Sequence, residues 1–540
     1  MTISRRKFLA SAMAGSAVAM VGGTELVSAL TSSASAASPA GDVVGKITVG
    51  YQGWFACIGD GAPIDGWWHW SQNMASAPSP SNTNIKAWPD MSDYTATYKT
   101  AFANFNNGQP ATLFSSYDQQ TVNAHFSWMQ QNGCDTAALQ RFNPTGGEGP
   151  TRDAMAAKVR TAAETYGRKF HIMYDVSGWT TMQADIKADW TDKMSAYTSS
   201  SAYAHQNGKP VVCIWGFGFD DANHPWDAAA CLDVVTWFKN QGCYVIGGVP
   251  TYWRTGANDS RSGYLDVYHA FDMLSPWMVG RIGTASDSDS FYTNVNVPDL
   301  ADCKANGIDY QPCVLPGDLS GRQRAHGDFM WRQFYNMVRL GAQGIYISMF
   351  DEYGEGNQIA TTAATQATVP AGSGLLALDE DGTACSADYY LRLTDDGGRM
   401  LKGQIALTAT RPTPPIAATT SAPPPSGGCG ALSANQTIPV DLPILSCDGR
   451  FKLVLGGDGN LVLYQGSTAL WAANTAGKGA VEAIMQGDGN FVLYNSGNSP
   501  VWSSGTAGHT GASLSVQDDG NVVIYSSGGT ALWSTGTAGH

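Results

Sequence analysis

Charge is scarce in this sequence: Asp, Glu, Lys and Arg make up 14% of 540 residues, against 43% hydrophobic residues. That balance excludes a highly charged chain with no core. Basic residues are the scarcer sign, 31 against 45 acidic, for a net charge of −14. Such a surface repels phosphate backbones and anionic membranes, so nucleic-acid binding is disfavoured and a neutral substrate is easier to accommodate. Ten cysteines and nine histidines include no C-x-x-C and no H-x-x-x-H pair, so neither a metal cluster nor a cofactor is expected. Long apolar runs are missing as well. The stretch from Ala10 to Gly23 falls short of the ~18 residues needed to span a bilayer and is rich in Gly and Ser.

What is abundant is Gly, with 62 residues, and Trp, with 17, which together imply many turns and many flat apolar surfaces. The length exceeds one ordinary domain. Ser4-Arg5-Arg6-Lys7-Phe8-Leu9 resembles a bacterial twin-arginine export signal, and Ala34-Ser35-Ala36 fits a small-residue cleavage site. Residues 1–36 are therefore expected to be a signal peptide, leaving a secreted, extracellular mature protein with no membrane segment. Their Arg5, Arg6, Lys7 and Glu25 sum to +2, so the mature chain carries −16. Export permits disulfides. Cys429–Cys447 is the favoured pair, Cys303–Cys313 a second, and Cys134, Cys213 and Cys243 read as buried thiols.

Residues 408–428, rich in Pro, Thr, Ser and Ala with a single charge, read as a semi-extended linker. They separate a body, residues 37–407, from a tail, residues 429–540. The tail repeats. Asp458-Gly459-Asn460, Asp488-Gly489-Asn490 and Asp519-Gly520-Asn521 recur, each followed by an alternating strand and then by Trp471, Trp502 or Trp533. One such unit cannot bury its own face; three can form a β-prism with the Trp residues at its axis. Gln486, Asp488, Asn490, Val492 and Tyr494, and again Gln517, Asp519, Asn521, Val523 and Tyr525, match the mannose-binding motif of bulb-type (monocot) lectins. The first unit keeps Asp458, Asn460, Val462 and Tyr464 but has Gly456 in place of Gln, so binding and loss of binding are equally expected there. Alternation along one strand would put the motif on one face, with the polar groups on sugar hydroxyls and Val against the ring.

In the body, apolar runs alternate with helical patterns. Strands are expected at residues 47–51, 136–140, 170–174, 211–215, 244–248, 271–274, 311–315 and 345–350, with helices at 121–131, 151–165, 231–241 and 322–340. Eight such units argue for a (β/α)8 TIM barrel, with long loops at 55–110 and 250–310 holding the excess length. Active sites of this fold lie at the C-terminal ends of the strands. Aromatic residues and carboxylates dominate those ends, and such groups stack on sugar rings and bond hydroxyls. The candidate substrate-binding residues are Tyr51, Trp54, Trp70, Arg141, Asp175, Tyr252 and Trp253. Of Trp67, Trp68 and Trp70, one or two are expected to face a ligand, and His69 to orient loops. Asp220 and Asp221 read equally as pocket residues or helix caps. Glu352 and Glu355 leave the last strand three residues apart, so they can share one pocket as an acid–base pair. Repulsion and burial would raise the pKa of one of them.

The segment Phe350-Asp351-Glu352-Tyr353-Gly354-Glu355-Gly356-Asn357-Gln358 resembles the E-W-H-E-G-T-Q segment of the endo-α-1,2-mannosidase and endo-α-mannanase family (glycoside hydrolase family 99). It also resembles the N-D-Y-G-E-S segment of the related α-1,3-glucanase family (family 71). Gly50-Tyr51-Gln52-Gly53-Trp54-Phe55 and Leu139-Gln140-Arg141-Phe142 strengthen the likeness. The resemblance implies a secreted endo-acting α-mannan hydrolase tethered to a mannose-binding lectin. Glu352 would be the base on the sugar 2-hydroxyl, and Glu355 the acid and then the base for water. An α-1,3-glucanase or another microbial polysaccharide hydrolase, and a non-catalytic lectin or adhesin, are the alternatives. Tyr353, Gly354 and Asn357 depart from the family pattern.

Overall fold

The computed structural model describes residues 38–416 and 430–539, apart from 106–107, 441, 447–448 and 528–529. The expected signal peptide, the pair Cys429–Cys447 and linker residues 417–428 lie outside the described residues. Among the described residues, no helix is long and apolar enough to cross a membrane.

The body is a curled parallel sheet with helices outside it, an arrangement that fits a TIM-like barrel. Its strands are β1 (Ile47–Tyr51), β2 (Thr136–Arg141), β3 (Lys169–Asp175), β4 (Lys209–Trp215), β5 (Tyr244–Val249), β6 (Met273–Pro276), β7 (Asp309–Tyr310), β8 (Cys313–Val314) and β9 (Ile345–Ile347). Pairing runs β7-β6-β5-β4-β3-β2-β1-β9-β8, all parallel. The seventh stave is broken: β7 pairs with β6, and β8, two residues further on, pairs with β9. Every residue of β1, β2 and β5 is buried, as expected of parallel strands covered on both faces.

Alternation along the strands sorts two cores. Ile47, Val49, Tyr51, Ala137, Leu139, Ile172 and Tyr174 pack outward with helix residues such as Val122, Phe126 and Val159. Ala138, Met173, Val211, Cys213, Ile246, Met273, Tyr346 and Met349 fill the inside. The outer layer includes α1 (Gln119–Gln131), α2 (Gly149–Tyr166), α3 (Met182–Asp192) and α4 (Ala228–Asn240). Gly167, at φ 59°, ends α2 in a left-handed turn that favours glycine.

Three expectations need correction. The helix expected from residue 322 begins at Asp328, because Ala325 and His326 stand at φ 43° and 44° and break the helical path. Residues 250–310 are not one long loop; they hold the helices Leu265–His269, Ala285–Phe291 and Val297–Asn306. Cys303 and Cys313 are both free and buried, Cys303 in the outer core and Cys313 in the inner one, so they do not pair.

The C-terminal region forms three four-stranded antiparallel sheets, compatible with a β-rich lectin domain. Phe451, Leu463, Phe491, Leu493, Leu514 and Ile524 meet in one core. Trp471, Trp502 and Trp533 meet edge to face with ring centroids 5.5–5.8 Å apart, so each repeat contributes one ring to a shared junction.

Candidate functional sites

β9 leads into the loop that carries Asp351, Glu352 and Glu355. Asp351 is fully buried, and its two carboxyl oxygens accept the backbone N–H groups of Gln52 (2.9 Å) and Gly53 (2.8 Å) at the end of β1. Burial pushes its carboxyl up to about 6, against the pull of those two donors. The clasp fixes the end of β1 beside the loop and brings the Gln52 side chain near Glu352, where it favours the ionised carboxyl. Asn357 closes the loop on itself: its N–H reaches the Glu352 carbonyl (3.1 Å) and its Nδ2 the Ser348 carbonyl (3.0 Å). Arg324 holds the far side through the carbonyls of Gly317, Gly356 and Gln358.

Glu352 is 6% exposed, whereas Glu355 is exposed at the rim. Burial, then the charge of Glu355, pushes the Glu352 carboxyl up to about 8, although Gln52 and the Glu355 N–H (3.2 Å from Oε1) favour its ionised form. The Glu355 carboxyl is also raised, by desolvation first, with Lys86 opposing and Asp318 adding to the rise. Lys86 and Asp318 are themselves paired at 3.0 Å. At neutral pH the pair therefore holds a proton, with Glu352 the stronger holder. A raised carboxyl loses folding stability as pH climbs from its unfolded value toward about 8, because the folded state must then carry a buried charge. Glu352→Gln is expected to stabilise the fold at pH 9 by on the order of a few kcal/mol, seen as a higher melting temperature, and to leave the melting temperature nearly unchanged at pH 4. Thermal melts of the two proteins at both pH values check this.

Around the end of β1, Trp54 stacks on His69 with centroids 3.7 Å apart and on Phe142 at 5.8 Å. Arg152 lies over Phe142 (4.7 Å) and Trp68 (4.9 Å), binds Glu148 and donates to the Gln52 carbonyl (2.6 Å). Burial and then Arg152 push His69 down to about 3, so its ring is neutral. The Trp54 indole N–H and one Arg152 nitrogen are buried without a partner.

The expected substrate-contacting residues separate into two groups. Asp175, 9% exposed, ends β3 on the inward face shared with Met173, and Tyr252 is partly exposed after β5. Trp54 is partly exposed just after β1, and the other four expectations are corrected. Tyr51 points outward, bonding His125 at 3.0 Å in the outer core. Arg141 also points outward, with Nε and Nη2 on Asp189 at 2.6 and 2.5 Å and Nη2 on Asp153 at 2.6 Å. Trp70 and Trp253 are buried, their indoles donating to the Phe114 carbonyl and to Asp299. Gln52 and Asp351 were absent from the expected set. Alternation could have found Gln52, since an outward Tyr51 puts its neighbour inward.

In the tail, the Gln486 amide donates to the Tyr494 hydroxyl and the Gln517 amide to the Tyr525 hydroxyl, each at 2.9 Å. The Asp488 and Asp519 carboxyls cap their turns by accepting the backbone N–H groups of Asn490 and Asn521. Contrary to expectation, the polar residues do not share one strand with Val and Tyr. Gln486, Asp488 and Asn490 occupy the turn between Ala480–Met485 and Phe491–Asn495, and only Val492 and Tyr494 stand on the strand, on the face opposite Phe491 and Leu493. In the first unit Asp458 and Asn460 keep the turn, but Tyr464 has no Gln and lies under the Lys452 ammonium at 5.3 Å.

A TIM-like barrel with carboxyls on the loop after its last strand is thus joined in one chain to a threefold antiparallel region. No family model and no curated protein matches the chain. Among solved structures, the chain is similar to the Japanese Marasmius oreades lectin at 35% identity, covering 21% of this chain and 97% of that one, with a TM-score of 0.20. It is also similar to a monomeric monocot mannose-binding lectin from Gastrodia elata at 36% identity, covering 20% and 98%, with a TM-score of 0.19. The GH99 endo-alpha-mannosidase from Bacteroides thetaiotaomicron is similar at 14% identity, covering 67% of this chain and 98% of that one, with a TM-score of 0.48.

Proposed function

We propose that the chain is a secreted glycoside hydrolase that cleaves an α-linked polysaccharide internally, with α-mannan the leading substrate, and that its tail is a mannose-binding lectin. The observation that carries the reading is the pair Glu352 and Glu355 on one short loop, the first buried and proton-holding, the second at the rim. Glycoside cleavage needs one proton donor and one base across the scissile bond, and a pair that shares one proton near neutrality supplies both. Glu352, deep and beside Gln52, is the base on the sugar 2-hydroxyl; once ionised, a carboxylate with a high pKa is the more effective at drawing off such a weakly acidic proton. Glu355 at the rim meets the leaving-group oxygen, protonates it, and then activates water. The reactive form of the pair is the one with its single proton on Glu355 and Glu352 ionised, so that Glu352 can take up the hydroxyl proton while Glu355 gives its own to the leaving oxygen. Asp175, Trp54 and Tyr252 line the substrate path.

The tail would hold the enzyme on its polymer and raise the local substrate concentration. Two of its units retain the Gln–Tyr pairing and one lacks it, so two mannosides are expected per chain. Calorimetric titration with methyl α-mannoside should give two sites, falling to one in Gln486→Ala. Three equal sites would show that Gly456 does not matter. Release of oligosaccharides from α-mannan by the wild type and not by Glu355→Gln tests the enzymatic reading. The second reading, α-1,3-glucan as substrate, rests on the Tyr353-Gly354-Glu355 stretch, which follows the glucanase-like pattern.

A further inference from the structure

A second set of chemically active side chains lies at the same end of the barrel, on the loops after β3 and β4. Ser177 Oγ is 3.0 Å from His224 Nε2, and His224 Nδ1 is 2.7 Å from Asp221 Oδ1. Ser177 is partly exposed, the His224 side chain 5% exposed and that of Asp221 46% exposed. Burial would raise Asp221, but hydrogen bonds from His224 and the Asn223 N–H outweigh it and hold the carboxyl below its usual range. An ionised carboxylate only accepts, so the neutral imidazole carries its hydrogen on Nδ1. Nε2 is then left as an acceptor facing the Ser177 hydroxyl. That is the tautomer a general base needs.

The imidazole is held firmly. Gly216, at φ 118°, passes so close that a Cβ there would sit 2.9 Å from the ring. Trp215 and Trp226 pack edge-on to it with centroids at 5.7 and 6.0 Å. The Gly178 N–H bonds the Asn223 carbonyl at 2.9 Å and ties the serine loop to the histidine loop. The indole N–H groups of Trp215 and Trp226 are buried and have no partner.

We propose that Ser177, His224 and Asp221 form a second hydrolytic centre, an esterase acting on O-acyl groups of the carbohydrate that enters the barrel mouth. The choice of a carbohydrate ester rests on the glycosidase reading, since Ser177 stands two residues after Asp175 at the same mouth. Ser177 Oγ adds to the acyl carbonyl carbon while its proton passes to His224 Nε2. Collapse breaks the ester bond, and the sugar oxygen leaves with the proton from His224, giving a free hydroxyl and acyl-Ser177. Water then attacks the acyl group and gives its proton to His224. The carboxylic acid departs and Ser177 regains its hydrogen.

The test uses the full-length mature protein with acetylated mannan and with 4-nitrophenyl acetate, measuring acetate release. Ser177→Ala and His224→Asn are expected to lose at least ~100-fold, while Glu355→Gln keeps acetate release and Ser177→Ala keeps depolymerisation. Phenylmethylsulfonyl fluoride should add its mass to the Ser177 peptide of the wild type and not to that of His224→Asn. This labelling decides the matter even if Ser177→Ala folds poorly. Acetate release that survives in folded Ser177→Ala, or a wild type that neither releases acetate nor takes the label, overturns the proposal. A wild type that releases acetate but does not depolymerise mannan counts against the glycosidase reading instead.

Discussion

Glu355→Gln is expected to lower hydrolysis of α-mannan by roughly 10²–10⁴-fold, and Glu352→Gln by a similar factor, because each removes one partner of the proton transfer. The two losses should differ in kind. A fluoride leaving group departs without a proton, so Glu355→Gln regains much of its rate on an α-mannosyl fluoride substrate, whereas Glu352→Gln, which lacks the base, does not. The burial contrast supports this division: Glu352 at 6% exposure lies deep beside Gln52, and Glu355 is exposed where a leaving chain would exit. Rates of both variants on mannan and on the fluoride check it. Equal rescue of both variants, or rescue of Glu352→Gln alone, would reverse or dissolve the roles.

Asp189→Ala carries the largest expected cost to stability. Arg141 and Asp189 are each 2% exposed in their side chains and joined by two hydrogen bonds, and the Tyr174 hydroxyl donates to the same carboxylate at 2.9 Å. Removing the acid leaves a guanidinium buried between β2 and α3 with only Asp153, 35% exposed in its side chain, to balance it. Breaking a pair of this kind costs about 3–5 kcal/mol. Denaturant unfolding of the body should show that drop while mannoside binding by the tail is unchanged. A loss below about 1 kcal/mol would mean that water or a rearranged Asp153 compensates.

The strands were legible because parallel strands buried on both faces read as unbroken apolar runs, and Ile47–Tyr51 matches its run to the residue. The break in the seventh stave was not legible, because the sequence around Gln311 and Pro312 carries no signal of which neighbour each half pairs with. Position at a strand end was legible too, but the face was not. Tyr51 and Arg141 stand one residue out of phase with the inward positions, and the one-residue alternation decides everything at the mouth. Trp70 and Trp253 look like sugar platforms in sequence, yet both anchor loops through their indole N–H groups. Gln52 is held in the site by Asp351, a contact across 299 residues that no local pattern reveals. In the tail, the repeat and the Trp junction were legible from spacing alone. The assignment of Gln486, Asp488 and Asn490 to a strand failed because a D-G-N turn interrupts it.

The most direct test of the glycosidase reading is to size the products that the wild-type protein makes from yeast α-mannan, with α-1,3-glucan alongside. Internal cleavage by the Glu352–Glu355 pair predicts short manno-oligosaccharides from mannan early in the reaction and none from Glu355→Gln. Tight binding to mannan with no products from either polymer would contradict it and leave a lectin whose barrel performs no glycoside chemistry.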